Sequence, residues 1–424
     1  MKKFAVMATA ALMTVAVSFP SLAFYQIPKN KKGILMSTQD QRMLQDYTDL
    51  NLGQVLFNMG TDQNINAFDP LTDYCKKHQI TTTMIVINRK NAWKRDMVPD
   101  CNGDFQPGTY GFNVLTDSGK NAVREYAKEL ANHYRNSVSN WVIGNEVDKT
   151  PEWDYNGIDD IDQHADTYAE AFRIFYEEIK KANPDAHVLI PFSMCWNATP
   201  GTPGYYKVSE YLPKLNDRLR DLDYGIAWHP YPVDFPQRPE FMIDLTSNHG
   251  INMDINTSPN INLSNIQLLT DYLQRDDMKT SSGSVRHLML TEVGFTSTPK
   301  DGVNGEERQA NAIREGYQIA KDNPYIEGFL LNRQVDAAGQ ESSGMAFGLW
   351  TRDTSAYRDE VALEKKQSWY VYRDLDGGSS AAENASASYS SSSHSDSSNH
   401  DVDINYDVDS DYDYDEDDNS WFDD

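Results

Sequence analysis

Two short segments hold the residues best suited to chemistry: WVIGNEVD at 141–148 and LMLTEVGF at 288–295. In each, an apolar run leads into a glutamate, Glu146 or Glu292. A run such as Trp141-Val142-Ile143 predicts a strand buried on both faces, as in a parallel sheet. Burying a carboxylate costs several kcal/mol unless it is paired or hydrogen-bonded, so neither glutamate suits a core. Both suit the rim of a barrel, where strands hand over to loops. Two carboxylates so placed can break a glycosidic bond. A separation of roughly 5–5.5 Å between them is expected for a retaining reaction, and beyond about 6.5 Å for an inverting one.

Several neighbours could complete such a site. Gly144 lets backbone approach closely, and the Asn145 amide can donate to a sugar hydroxyl beside the scissile bond. His229 and Tyr231 close the segment AWHPYP. A tyrosine hydroxyl there can hold a carboxylate ionised by hydrogen bonding; His229 is open between a site residue and a structural histidine. Asp148 reads as a partner behind Glu146 or as surface charge. Arg333 and Asp336, in LLNRQVD, can clamp a substrate or each other. Asn58 and Asn88 end two strands and can donate to sugar hydroxyls. Trp196 and Trp228 stand between core and sugar platform. Further aromatics, Trp93, Trp153, Tyr205, Phe235 and Trp350, fall in long loops. Aromatic rings offer large contact area to the apolar faces of pyranoses, and loops of this length also need small cores of their own.

The elements that must position these residues alternate. Strands are expected at 33–36, 53–59, 81–88, 139–144, 187–192, 224–229, 287–291 and 326–332. Helices are expected at 41–50, 120–134, 163–182, 208–219, 263–275, 307–322 and 360–371. The helix over 163–182 carries Tyr168, Phe172, Phe175 and Ile179 on one stripe. Asn183-Pro184 and Asn323-Pro324 stop two helices directly before strands, because proline cannot continue a helix. Eight strands alternating with helices predict an α/β fold, a (β/α)8 TIM barrel. A doubly wound sheet would show a Gly-rich phosphate turn, and neither GxGxxG nor a P-loop occurs. The strand-to-helix connections at 89–118, 147–162, 230–262 and 333–359 are the long ones. In a barrel they gather at the C-terminal face.

The ends read as separate. Lys2 and Lys3, the apolar stretch 4–17 and Ser21-Leu22-Ala23 describe a secretory signal peptide over 1–23. The stretch is short of the roughly 20 residues a membrane span needs, and no later run is long enough. A barrel domain is expected over 24–377 and a Ser/Asp-rich acidic tail over 378–424. From Ser379 on there is no Lys or Arg, and fourteen acidic residues carry over half of the formal net charge of −26. Such a segment buries too little apolar surface to order. Its Asp-x-Asp runs lack the glycine and closing glutamate of a calcium loop. The acidic balance excludes a nucleic-acid partner, which needs a basic footprint. Three cysteines, Cys75, Cys101 and Cys195, allow one disulfide with a thiol left over. No CxxC or Cys/His motif suggests zinc, and neither metal nor organic cofactor is expected.

The Asn-Glu pair after the fourth strand and the glutamate after the seventh resemble the retaining glycoside hydrolases of clan A. That resemblance implies Glu146 as acid/base, Glu292 as nucleophile, and supporting roles for Asn145 and Tyr231. More narrowly, IGNEVD, AWHPYP, NLSNIQLLTDYL, VRHLMLTEVGF, NPYIEGFLLNRQVD and MAFGLW resemble the bacterial domain-of-unknown-function family 5722, whose name supplies no substrate. The eighth strand departs from the common clan pattern: Asn332-Arg333-Gln334 stands where many members place a tryptophan, and Trp350 is a candidate substitute. The expectation is a monomeric retaining β-glycosidase acting on carbohydrate, secreted or at the cell surface of a bacterium. It requires Glu146 in a less polar setting with a raised pKa and Glu292 ionised. A non-catalytic carbohydrate-binding barrel at the cell surface is the alternative, and a surface protein whose tail is the functional part is a third reading.

Overall fold

A computed structural model describes residues 24–101, 107–232, 252–299, 302 and 304–376. The signal segment 1–23, Phe235 and the tail 378–424 lie outside the described residues.

Eight parallel strands close on themselves in chain order. They are β1 (Lys32–Leu35), β2 (Gln54–Gly60), β3 (Thr81–Ile87), β4 (Asn140–Ile143), β5 (His187–Phe192), β6 (Gly225–Trp228), β7 (Leu288–Val293) and β8 (Ile326–Leu331). The ring shuts where Gly33 of β1 pairs with Leu330 of β8. This is the (β/α)8 barrel that the alternation predicts, and each strand lies within two residues of its expected bounds. Alternation along the strands divides the core. Leu35, Leu56, Ile85, Val142, Leu189, Met289 and Leu330 form one cluster, the lumen filling. Their neighbours pack outward in a second, larger cluster with the helices.

The helices are α1 (Gln41–Asp49), α2 (Asp69–Lys77), α3 (Asp117–Tyr134), α4 (Thr150–Trp153), α5 (Ile161–Ala182), α6 (Val208–Leu219), α7 (Gln267–Leu273), α8 (Gly305–Asp322), α9 (Ala338–Ser342) and α10 (Gln367–Asp374). Their starts have local causes. The Asp160 side chain accepts from the Asp162 and Gln163 amides, Thr116 caps α3 and Asn304 caps α8. Such caps satisfy amides that lack an intrahelical partner. Tyr168, Phe172, Phe175 and Ile179 of α5 are buried, as their stripe requires.

Short helices α4 and α9 form inside the connections expected at 147–162 and 333–359, and three further segments depart from expectation. Periodicity gives no helix at 69–77, yet α2 forms there with proline in its first turn. The helix expected over 263–275 is split: Asn262 and Asn265 cap each other in a 3-10 turn (Leu263–Asn265) before α7. The helix expected over 360–371 is a strand and a helix. Residues Ala362–Lys365 form β10, which pairs antiparallel with β9 (Trp350–Arg352), and α10 starts only at Gln367. Helix-favouring composition yields there because β9 offers backbone partners that propensity alone does not see. Cys75, Cys101 and Cys195 are all free thiols, so the disulfide left open by composition does not form. No helix among the described residues is long and apolar enough to cross a membrane.

Candidate active site

Glu146 stands three residues beyond β4, and Glu292 is the penultimate residue of β7. Local backbone aims both. Gly144 takes φ +84 and Glu146 itself φ +30, a region that residues with a Cβ seldom occupy. The turn brings the Lys149 amide 2.7 Å from the Glu146 carbonyl. On β7, Leu290 pairs with Phe329 and Val293 with Leu331. Three steps on β7 thus match two on β8, which places Glu292 at a bulge. Bulges re-aim side chains and recur beside active sites.

One imidazole joins the two carboxylates. His229 Nδ1 lies 3.0 Å from Glu146 Oε1 and 3.6 Å from Glu292 Oε2. His229 is fully buried just past β6. Burial opposes its charge, but the Glu292 and Glu146 carboxylates outweigh burial and raise its pKa. Tyr231 donates to Glu292 Oε2 at 2.9 Å and accepts from the Asn332 amide at 2.6 Å. Its ring stacks on Phe347. Gly294 makes that possible, since a Cβ there would meet the Tyr231 ring at 2.7 Å.

The Glu146 environment corrects an expectation. Instead of an apolar pocket it has Lys149, whose Nζ sits 2.8 Å from Oε2. Burial alone would raise the Glu146 pKa, but Lys149 and His229 override it and hold the carboxyl down at about 2. Burial likewise opposes the charge on Lys149, and Glu146 more than offsets it. Asp148 is a neighbouring carboxyl whose pKa is raised, pushed to about 6 by burial and by Glu146. Asp148 is fully buried and accepts from both the amide and the hydroxyl of Ser193, beyond β5. It is a partner behind the site and not surface charge.

Three buried polar atoms here have no hydrogen-bond partner among the described residues: Asn145 Oδ1, His229 Nε2 and Asn332 Oδ1. Unpaired buried polar groups are rare in folded proteins, and these surround the carboxylates. Asn58, half-buried in β2, shares the parity of Leu56 and so faces the lumen.

Other sequence candidates lie elsewhere. Asn88 is buried and holds loops together, donating to the Met97 and Gly111 carbonyls. Trp196 is core: its indole N–H donates to Ile255, and its ring meets Tyr272 edge-on. Trp350 is buried as well; its N–H donates to Asp46, and the Arg42 guanidinium covers its ring. It cannot serve as the sugar floor. Arg333 pairs with Glu360 and Asp336 with Lys366. Sequence reasoning missed Lys149, which looks like surface charge three residues after Glu146, and Asn332, whose signal was its place directly after the eighth apolar run.

Fold and site together define a (β/α)8 barrel with paired carboxylates at the C-terminal ends of β4 and β7. The chain belongs to the family of unknown function DUF5722, whose pattern matches residues 60–396. No curated protein matches it. Among solved structures it is similar to a family 39 glycoside hydrolase from the gut symbiont Bacteroides cellulosilyticus WH2, with a TM-score of 0.54 and 14% identity over 83% of this chain and 65% of that one. It is also similar to a glucosidase from Croceicoccus marinus, with a TM-score of 0.50 and 12% identity over 82% of this chain and 66% of that one. The chain thus spans about two thirds of those proteins' lengths. At such identities the likeness establishes the shared fold.

Proposed function

We propose that the chain is a glycoside hydrolase that cleaves O-glycosidic bonds of a polysaccharide or oligosaccharide by double displacement with retention. One observation carries this reading: the single His229 nitrogen 3.0 Å from Glu146 and 3.6 Å from Glu292. Oxygens bridged by one atom lie no farther apart than the sum of those distances. That limit falls at the short edge of the inverting range, about 6.5–9.5 Å, and accommodates the retaining spacing of roughly 5–5.5 Å.

In this reading Glu292, steadied by Tyr231, attacks the anomeric carbon, and Glu146 protonates the departing oxygen. Glu146 is ionised in the resting site, so a proton must reach it first. The imidazolium of His229, whose Nδ1 faces Glu146 Oε1, supplies it as bound sugar displaces the Lys149 ammonium. Glu146 then takes a proton from the water that releases the glycosyl-enzyme and returns it to His229 Nδ1 as Lys149 re-engages, which restores the resting site. Asn145 and Asn332 present acceptor oxygens to sugar hydroxyls. The basic start, apolar stretch and small residues up to Ala23 support export, to the medium or the cell surface.

The test is a panel of aryl glycosides and polysaccharides with the purified protein. Glu292→Ala should abolish turnover, and azide should restore it with inverted product. Glu146→Ala should spare substrates with good leaving groups, for which protonation matters less. Azide rescue of the Glu146 variant alone would reverse the two roles. A non-catalytic carbohydrate-binding barrel is favoured by one observation, the Lys149 ion pair on the residue that must give up a proton. Oligosaccharide binding without hydrolysis anywhere in the panel would select it.

A further inference from the structure

We propose that the N-terminal end of the barrel carries a transition-metal site of the zinc class, formed by His187, His287 and Glu327 and separate from the carboxylate pair at the opposite rim. His187 opens β5, His287 directly precedes β7, and Glu327 is the second residue of β8. Each offers one ligand atom, and the three atoms lie within 4.8 Å of one another. His287 Nδ1 is 2.6 Å from one Glu327 oxygen, and His187 Nδ1 is 3.9 Å from the other. Ligand atoms on a tetrahedral ion with bonds of about 2.0–2.2 Å stand about 3.3 Å apart. Two of the three separations bracket that value and the third lies within 4.8 Å; the two stacked imidazoles must also turn apart about their Cβ–Cγ bonds to aim both lone pairs at one ion. Two imidazoles and a carboxylate are a donor set that zinc accepts with a fourth position left open.

The fold assembles this set in ways that packing alone does not demand. Strand β6 lies between β5 and β7, and at this level it contributes Gly225. A Cβ there would meet the His287 Cβ at 3.0 Å. Without a side chain in between, the two imidazoles stack across β6 with centroids 3.6 Å apart. Leu288 pairs with Ile326 and Met289 with Gly328, so Glu327 is an inserted residue on β8. His187 Nδ1 is buried and has no hydrogen-bond partner among the described residues. Tyr25 covers the other face of His187, held by its hydroxyl on Asn140. The three ligand side chains remain 18%, 30% and 36% exposed, which leaves an entry path. An ion here would tie β5, the approach to β7 and β8 together. Its effect would be on stability, as expected of the face opposite the reacting groups.

The experiment uses the full chain, stripped with a chelator and titrated with CoCl2 and ZnCl2. We expect one equivalent of Co2+ with the intense visible bands of a tetrahedral ion, displaced by Zn2+. Carboxylate oxygens elsewhere on this acidic chain would hold Co2+ octahedrally and give only weak bands. Zn2+ at a hundredfold excess over its Kd should raise the melting temperature by about 3–4 °C. His187→Gln and His287→Gln, checked for folding by circular dichroism, should lose both the bands and the rise. Glu292→Gln should keep them. Absence of tetrahedral Co2+ in the wild type overturns the proposal. So does its persistence in both histidine variants, or its loss in Glu292→Gln, which would move the ion to the carboxylate pair.

Discussion

Replacing Lys149 by methionine tests the electrostatics of the site without any knowledge of the substrate. Glu146 has a pKa of about 2 in the fold against an ordinary 4.5. A carboxyl with a depressed pKa contributes stability that is present above its unfolded value and lost as pH falls through its folded value. The difference is about 3 kcal/mol at pH 6.5 and about 2 kcal/mol at pH 3.5. Lys149 is the largest of the interactions that lower this pKa, and what remains includes the burial that raises it. Lys149→Met should therefore lose about 3 kcal/mol at pH 6.5 and about 2 kcal/mol at pH 3.5. Urea unfolding followed by far-ultraviolet circular dichroism, at both pH values, reads the two losses. The upper value stays at 6.5 because His229 has the opposite sign: its contribution is complete below its ordinary pKa of 6.5 and fades as pH rises through its raised folded value. In a Glu146→Gln background the Lys149 substitution should lose most of its effect, since the charge it faces is gone. Equal losses at both pH values, or an undiminished loss in the Gln background, would refute the reasoning.

Tyr231→Phe removes a hydrogen bond to a charged carboxylate, worth about 1.5–3 kcal/mol, and should lower kcat/KM on a cleaved aryl glycoside about ten- to a hundredfold. Gly294→Ala should cause a similar loss with the hydroxyl still present, because the new methyl displaces the Tyr231 ring; normal kinetics in that variant would detach Tyr231 from the reaction. Trp350→Phe should destabilise the barrel by about 1–3 kcal/mol, since Asp46 loses a buried donor, while KM stays unchanged. A raised KM would return Trp350 to the sugar.

The eight strands were legible because a parallel strand buried on both faces must be apolar throughout, and that pattern is local. The helix stops were legible for the same kind of reason: Asn183-Pro184 and Asn323-Pro324 act on backbone within a few residues of themselves. Glu146, Glu292 and Tyr231 could be placed because a charged or hydroxyl group directly after an apolar run has only the rim to go to. The strand at 362–365 was not legible, since its partner β9 comes ten residues earlier and is itself too short to announce itself. Nor were the roles of Trp196 and Trp350, because core and sugar platform both call for a large aromatic surface.

What the sequence by itself determined, then, is the barrel and the level of its rim at which the two glutamates stand. Only the tertiary structure decided their electrostatics. Lys149 reaches Glu146 through a turn at positive φ, and His229 touches both carboxylates because β6 lies between β4 and β7 around the ring. The same holds for His187, His287 and Glu327, brought together across one glycine and one inserted residue. Periodicity is a property of neighbours in the chain, whereas a charge responds to whatever lies within a few ångströms. Strand register and barrel closure set that neighbourhood.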